Sequence, residues 1–201
     1  MNEEKGKWQL QQLESAKVSE QNHIVDLTFA NGVKGRITFL EETIFRYDVE
    51  KTGNFREYAL PRDEAHTAKI QQRPDGSEEY TKPAVSVLDN EKTLSVLCEK
   101  TMLTWEKDTA NMSVSVHGNT VLEEAGSLVI QENEMIQTLK KHPKENFFGG
   151  GTQNGRFVHT GKKIRIVNES AWMDGGVASP NPFYYTTNGY GILFNTFSDG
   201  F

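Results

Sequence analysis

Aromatic and polar residues interleave between Phe147 and Thr196 in a pattern that could do chemistry. The aromatics are Phe147, Phe148, Phe157, Trp172, Phe183, Tyr184, Tyr185, Tyr190 and Phe194, and among them stand Gln153, Asn154, Arg156, Glu169, Asp174 and Asn181. Aromatic faces stack on the C–H surfaces of sugars while neighbouring carboxylates and amides hydrogen-bond the hydroxyls, so the mixture suits a carbohydrate site. The same composition also describes a sandwich core whose polar groups occupy turns.

Other constellations are weaker. Asp48 with Glu50, or Glu123 with Glu124, could be posed as acid–base pairs for glycosidic cleavage. Carboxylates at such positions on strands read first as a solvated face. Gly149-Gly150-Gly151-Thr152 lacks the Gly-Lys-Ser/Thr ending of a phosphate loop, and no helical pattern follows it. Backbone that must pass close to a neighbour is the better reading of the three glycines. The histidines at 23, 66, 117, 142 and 159 have no paired spacing, so no metal site is expected. No cofactor is expected either.

The elements that must position these residues are strands. Val25, Leu27 and Phe29 alternate with polar residues, and Asn31-Gly32 then marks a hairpin turn with φ > 0 at both positions. Val33 to Phe39 and Ile44 to Val49 continue the series. Further runs are Thr93–Glu99, Met102–Lys107, Ser113–His117, Thr120–Glu123 across Gly118-Asn119, Leu128–Gln131, Ile136–Leu139, Ile164–Val167, Phe183–Thr186 and Tyr190–Thr196. About a dozen short strands with turns between them predict an all-β, two-sheet antiparallel sandwich. Trp8 to Ala16 fits a short N-terminal helix or a strand equally well. Asp63 to Pro83 is polar and reads as an exposed loop or a projecting hairpin tip, and Gly149 to Pro182 reads as a long irregular stretch of the kind that carries function.

With 201 residues the chain has the length of one large β domain, predicted over 1–201. A net charge of −6 argues against a nucleic-acid partner. Cys98 is the sole cysteine and, among Leu94, Val96 and Leu97, reads as a buried, inert thiol. No apolar stretch follows the charged N-terminus, so no signal peptide and no membrane span are expected, and a cytoplasmic location is the default.

Three motifs in order carry a family resemblance. Phe147-Phe148-Gly149-Gly150-Gly151-Thr152 resembles the aromatic-Gly-Leu/Phe-Gly-Glu stretch of glycoside hydrolase family 31. Ala171-Trp172-Met173-Asp174-Gly175-Gly176 is similar to that family's Trp-Asn-Arg-Asp loop. Pro182-Phe183-Tyr184-Tyr185-Thr186-Thr187-Asn188-Gly189-Tyr190-Gly191-Ile192 resembles its Pro-Phe-Tyr strand, turn and Gly-Tyr-Gly-Val strand. The resemblance is clear from Phe147 to Thr196 and rests upstream on the strand pattern alone.

It implies a galactose-mutarotase-like sandwich standing before a (β/α)8 barrel in a retaining enzyme that acts on α-linked glucose-type sugars. The catalytic aspartates belong to the barrel, so no catalytic residue is expected here. The expected partners are an α-glucosyl oligosaccharide and the barrel of the same polypeptide. Loop 170–179 would help form the substrate pocket, with Asp174 as the substrate-contacting residue and Trp172 beside it. Thr152, Ala171, Trp172 and Met173 depart from the family pattern and suggest a subgroup with a different acceptor, a transglycosylase rather than a simple hydrolase. The sandwich is expected to be cut short at its C-terminal end, with exposed edges that favour self-association. Two other functions fit the residues: a free-standing carbohydrate-binding module using the same aromatics, and a mutarotase-like epimerase built on a convergent His/Glu pair.

Overall fold

The computed structural model describes residues 7–55, 80–131, 134–153, 157–167, 177–194 and 200. Residues 63–79 of the polar stretch, and His66 within it, lie outside them. The chain divides into two compact units, with residues 7–55 and 80–140 in the first and the described residues from 141 onward in the second.

The first unit holds two antiparallel sheets. β2 (Leu13–Val18), β3 (Ile24–Phe29), β4 (Lys34–Glu41) and β5 (Ile44–Glu50) follow one another in a four-stranded meander. The second sheet runs β1 (Lys7–Gln9), β10 (Asn119–Gln131), β9 (Met112–Val116), β8 (Thr101–Glu106), β7 (Thr93–Cys98) and β6 (Ser86–Asp89), and β11 (Glu134–Leu139) also pairs with β10. The period-two pattern decides which residues face inward. Val25, Leu27 and Phe29 on β3 and Ile37 and Phe39 on β4 are buried, as are Leu94, Val96, Leu103 and Trp105 on β7 and β8. Each such side chain contributes about 1.5–3 kcal/mol when fully removed from water. Tyr47 of β5 and Trp105 of β8 join the sheets edge to face, with ring centroids 6.1 Å apart at 75°.

Outward residues pair on the surface. Arg36 meets Asp26 across β3 and β4 at 2.7 Å and lies 4.6 Å over the Phe55 ring. Ion pairs this exposed contribute about 0–1 kcal/mol.

Of the two readings of Trp8 to Ala16 the strand is the one found: β1 pairs with β10 and β2 with β3, and Leu10 and Leu13 are buried. Other expectations need correcting. At the first hairpin only Gly32 has positive φ, so Ala30-Asn31-Gly32 forms a three-residue loop ending in a left-handed glycine. The second tight turn sits one residue earlier than expected, at His117-Gly118, where both residues have positive φ and Val116 pairs with Asn119. Glu124 is not on a solvated face. It points inward in phase with Leu122 and is 4% exposed, while Glu123 points out to Lys140.

Asp48 pairs with Arg46 of its own strand, and the Glu50 carboxylate accepts from the Thr52 and Asn54 backbone N–H groups. Neither is left as a member of an acid–base pair.

Candidate functional site

The second unit is a three-stranded antiparallel sheet, β12 (Phe147–Gln153), β13 (Val177–Thr186) and β14 (Gly191–Leu193), in that order. Both ends of the stretch from Gly149 to Pro182, residues 149–153 and 177–182, are therefore strand. The glycine run lies inside β12 because the backbones come too close for side chains. Gly149, Gly150 and Gly151 all have positive φ. A Cβ on Gly149 would stand 2.5 Å from the Phe183 carbonyl oxygen, and one on Gly151 would collide with the Ser179 carbonyl. This is the close approach that the glycines implied, and only glycine tolerates it at these φ values.

The other edge of β12 is covered by the chain that follows it. The His159 backbone N–H donates to the Phe147 carbonyl at 2.8 Å, and the His159 Nε2 lies 2.9 Å from the Gly149 carbonyl. The Thr160 hydroxyl accepts from the Phe147 N–H at 3.1 Å. Ile164 to Val167 contributes no strand among the described residues, only a single bridge from Ile166 to Gly200.

The two faces of β13 differ in chemistry. Phe183 and Tyr185 are exposed while Tyr184 and Thr186 turn to the covered side. Phe148 stacks on Tyr185 with centroids 5.4 Å apart at 20°, and Phe157, 75% exposed, tilts against Phe148. On the covered side, Phe147 and Phe194 flank the Tyr184 ring. Burial, with the Glu145 carboxylate a smaller contribution, pushes the Tyr184 phenol up to about 12. Tyr190 is shifted in the same direction for the same reasons.

Glu145 is 3% exposed and its Oε2 accepts from the His142 backbone N–H at 2.9 Å. The structure thus brings a His and a Glu together, but through a backbone group, in a turn where Pro143 and Lys144 are exposed and the Glu145 side chain is buried. A carboxylate so enclosed meets no sugar, so this pair does not favour an epimerase. Sequence reading missed Glu145 and the buried His159, and the His-Pro-Lys-Glu-Asn run around Glu145 gave no sign of burial. Among the described residues, no three His, Cys, Asp or Glu side chains converge as metal ligands.

Asp174 and Trp172, the expected substrate-binding residues, lie outside the described residues, as do Asn154, Arg156 and Glu169. The ladder does fix where their segment begins and ends: Gln153 pairs with Val177 and Thr152 with Ser179. Residues 177–179 of the predicted loop 170–179 are accordingly the first residues of β13. Asp174 is three positions before that strand.

Paired antiparallel sheets and a glycine-tight aromatic hairpin define an all-β sandwich protein. Residues 34–201 match the glycosyl hydrolase 31 N-terminal galactose mutarotase-like domain, and the chain belongs to that family. No curated protein sequence matches it. Among solved structures, a Flavobacterium johnsoniae GH31 dextranase complexed with isomaltotriose superposes with a TM-score of 0.74 at 15% identity, over 96% of this chain and 23% of the dextranase. A cycloalternan-forming enzyme from Listeria monocytogenes in complex with a pentasaccharide substrate gives 0.69 at 15% identity, over 92% and 17%. A GH31 alpha-xylosidase from Xanthomonas citri gives 0.60 at 15% identity, over 85% and 18%. At these identities the likeness shows the fold, and the chain spans less than a quarter of each of these structures.

Proposed function

We propose that this chain is the N-terminal accessory domain of a retaining glycosidase or transglycosylase acting on α-linked glucose-type sugars. Segment 170–179 then completes the substrate pocket of a (β/α)8 barrel in the same polypeptide. The observation that carries the proposal is the family match over residues 34–201. Support for the sugar class comes from neighbours solved with isomaltotriose and with a pentasaccharide substrate. The β12–β13 ladder supports the role of the segment, since it anchors Val177 against Gln153 just after Asp174.

In this role Asp174 hydrogen-bonds a sugar hydroxyl and moves no proton. Asp174→Ala in the full-length enzyme is expected to weaken transition-state binding by about 1.5–3 kcal/mol, the range for a hydrogen bond to a charged group. An unchanged kcat/KM would remove Asp174 from the pocket. The 201-residue chain alone is expected to be inactive on p-nitrophenyl α-glucoside, and turnover by it would overturn the accessory role.

A further inference from the structure

β11 pairs with β10 on one side, and no strand pairs with its other edge among the described residues. Backbone hydrogen bonds fix which groups that free edge presents. The Lys140 N–H donates to the Glu123 carbonyl of β10 at 2.9 Å. On the far side of β10 the Leu10 N–H donates to the Leu128 carbonyl, which turns the backbone groups of Val129 and Gln131 toward β11. Successive residues of a strand point these groups to opposite edges. Glu134, Ile136 and Thr138 therefore point theirs inward to β10, in phase with Lys140. Met135, Gln137 and Leu139 hold theirs out. Sheet edges are ordinarily blunted by Lys, Pro or a bulge. Here no charge and no Pro stands between Glu134 and Lys140, and Met135 and Ile136 are 53% and 45% exposed.

We propose that β11 pairs with β11 of a second copy, antiparallel about a two-fold axis through Gln137, so that the sheet runs on from one chain into the other. β11 is complementary to its own reverse in this register. Met135 meets Leu139 of the copy and Gln137 meets its counterpart, all as hydrogen-bonded pairs, so every outward backbone group is used. Ile136 lies against Thr138, an apolar, β-branched pair at a position where side chains come closest. Glu134 faces Lys140 at both ends. Lys140 meets Glu123 of its own chain at 3.1 Å, yet its side chain is 56% exposed and can take a second carboxylate.

Other registers lose this match. An axis through Ile136 or Thr138 centres on residues whose backbone groups are already turned to β10. An axis through Met135 or Leu139 parts Glu134 from Lys140. A match of acid to base and apolar to apolar under reversal is what a copy of the same strand requires. An unrelated strand, or the rest of the polypeptide, gives no reason for it.

The test is sedimentation equilibrium of the 201-residue chain and of the full-length polypeptide, both of which are expected to dimerise. Glu134→Lys sets like charges opposite each other at both ends, and Lys140→Glu does so with the other sign. Each variant alone is expected to dimerise roughly tenfold more weakly. Mixed in equal amounts, the two variants regain both ion pairs and should form a heterodimer as tight as the parent. Mixing would not repair damage to the fold, which thermal melts read separately. Leu88→Ala, on the edge strand β6, should leave the dimer unchanged. A monomeric 201-residue chain, or a mixture no tighter than the single variants, overturns the proposal. Dimerisation of the 201-residue chain while the full-length polypeptide stays monomeric also overturns it, and assigns the edge to the rest of the polypeptide. None of these readings depends on the Asp174 kinetics.

Discussion

Oε1 of Glu124 and Nε2 of Gln137 stand 2.8 Å apart inside the first unit, and Oε2 of the same carboxylate accepts from the Met112 backbone N–H at 2.8 Å. Burial raises the Glu124 pKa, and these two hydrogen bonds offset only part of that rise.

The sign of the pH dependence follows. An acid whose folded pKa is raised holds its proton in the native state after the unfolded chain has lost its own. Native stability from this group is therefore full below the ordinary carboxylate pKa and declines as pH rises through the folded value. Glu124→Gln should remove that decline, so its advantage over the parent grows between about pH 4 and neutrality. Urea titrations at the two pH values check this, and an unchanged difference would refute it. Glu124→Ala leaves the buried Met112 N–H without an acceptor and should cost about 1–3 kcal/mol for it, the half-buried Gln137 amide being able to turn to water.

Tyr47 and Trp105 meet edge to face in the same core, yet neither the Tyr47 hydroxyl nor the Trp105 Nε1 has a hydrogen-bond partner among the described residues. Burial, with the Glu124 charge second, holds the Tyr47 phenol protonated far above its ordinary pKa. A buried hydroxyl without a partner is a cost. Tyr47→Phe should therefore be neutral or stabilising by up to about 1 kcal/mol, while Trp105→Ala, which empties the centre of the core, should cost about 3–5 kcal/mol. Denaturation midpoints of the two variants test the contrast, and a Tyr47→Phe penalty comparable to that of Trp105→Ala would defeat it.

Cys98 is 0% exposed, and burial, aided by the charges of Glu99 and Glu42, pushes its thiol up to about 11. Since the thiolate is the reactive form, the native chain should resist alkylation by iodoacetamide at about pH 8.5 and react fully in denaturant. Mass spectrometry after a timed exposure reads the outcome. Rapid labelling of the native chain would show that this part of β7 opens.

The fold was legible wherever one face of a strand is buried. Val25, Leu27 and Phe29 announce their strand because solvent and core demand opposite residue types at alternate positions. Turn geometry was half legible: Gly32 and Gly118 were visible as turn residues, but whether Asn31 or His117 shares the positive φ depends on strand register. Glu124 was illegible because its burial is decided by donors on β9 and β11, at Met112 and Gln137. In the candidate site, the aromatics of β13 were readable as a group. Their division into an exposed row and a covered row follows from the pairing of Phe183 with Leu193 and of Phe148 with Tyr185.

The glycine run of β12 offers the strictest test of the second unit. Gly149 has φ 110°, and a Cβ there would stand 2.5 Å from the Phe183 carbonyl oxygen and 2.8 Å from the Tyr184 Cα. Both obstacles are backbone, so no rotamer change relieves them. Gly149→Ala therefore combines an unfavourable φ with a displaced strand, and each such backbone strain costs about 1–3 kcal/mol. The damage should be confined to β12 and β13. Hydrogen exchange should speed up at the Thr187 amide, which donates to the Asn146 carbonyl, and at the His159 amide, which donates to the Phe147 carbonyl. Amides of β3 and β4 in the first unit should keep their protection. Gly118→Ala provides the contrast: its φ is 77°, but nothing lies within 4 Å of the added Cβ, so it carries the conformational cost alone. If the two variants lose equal stability, φ rather than close approach explains the glycines of β12, and the packing argument for that strand fails.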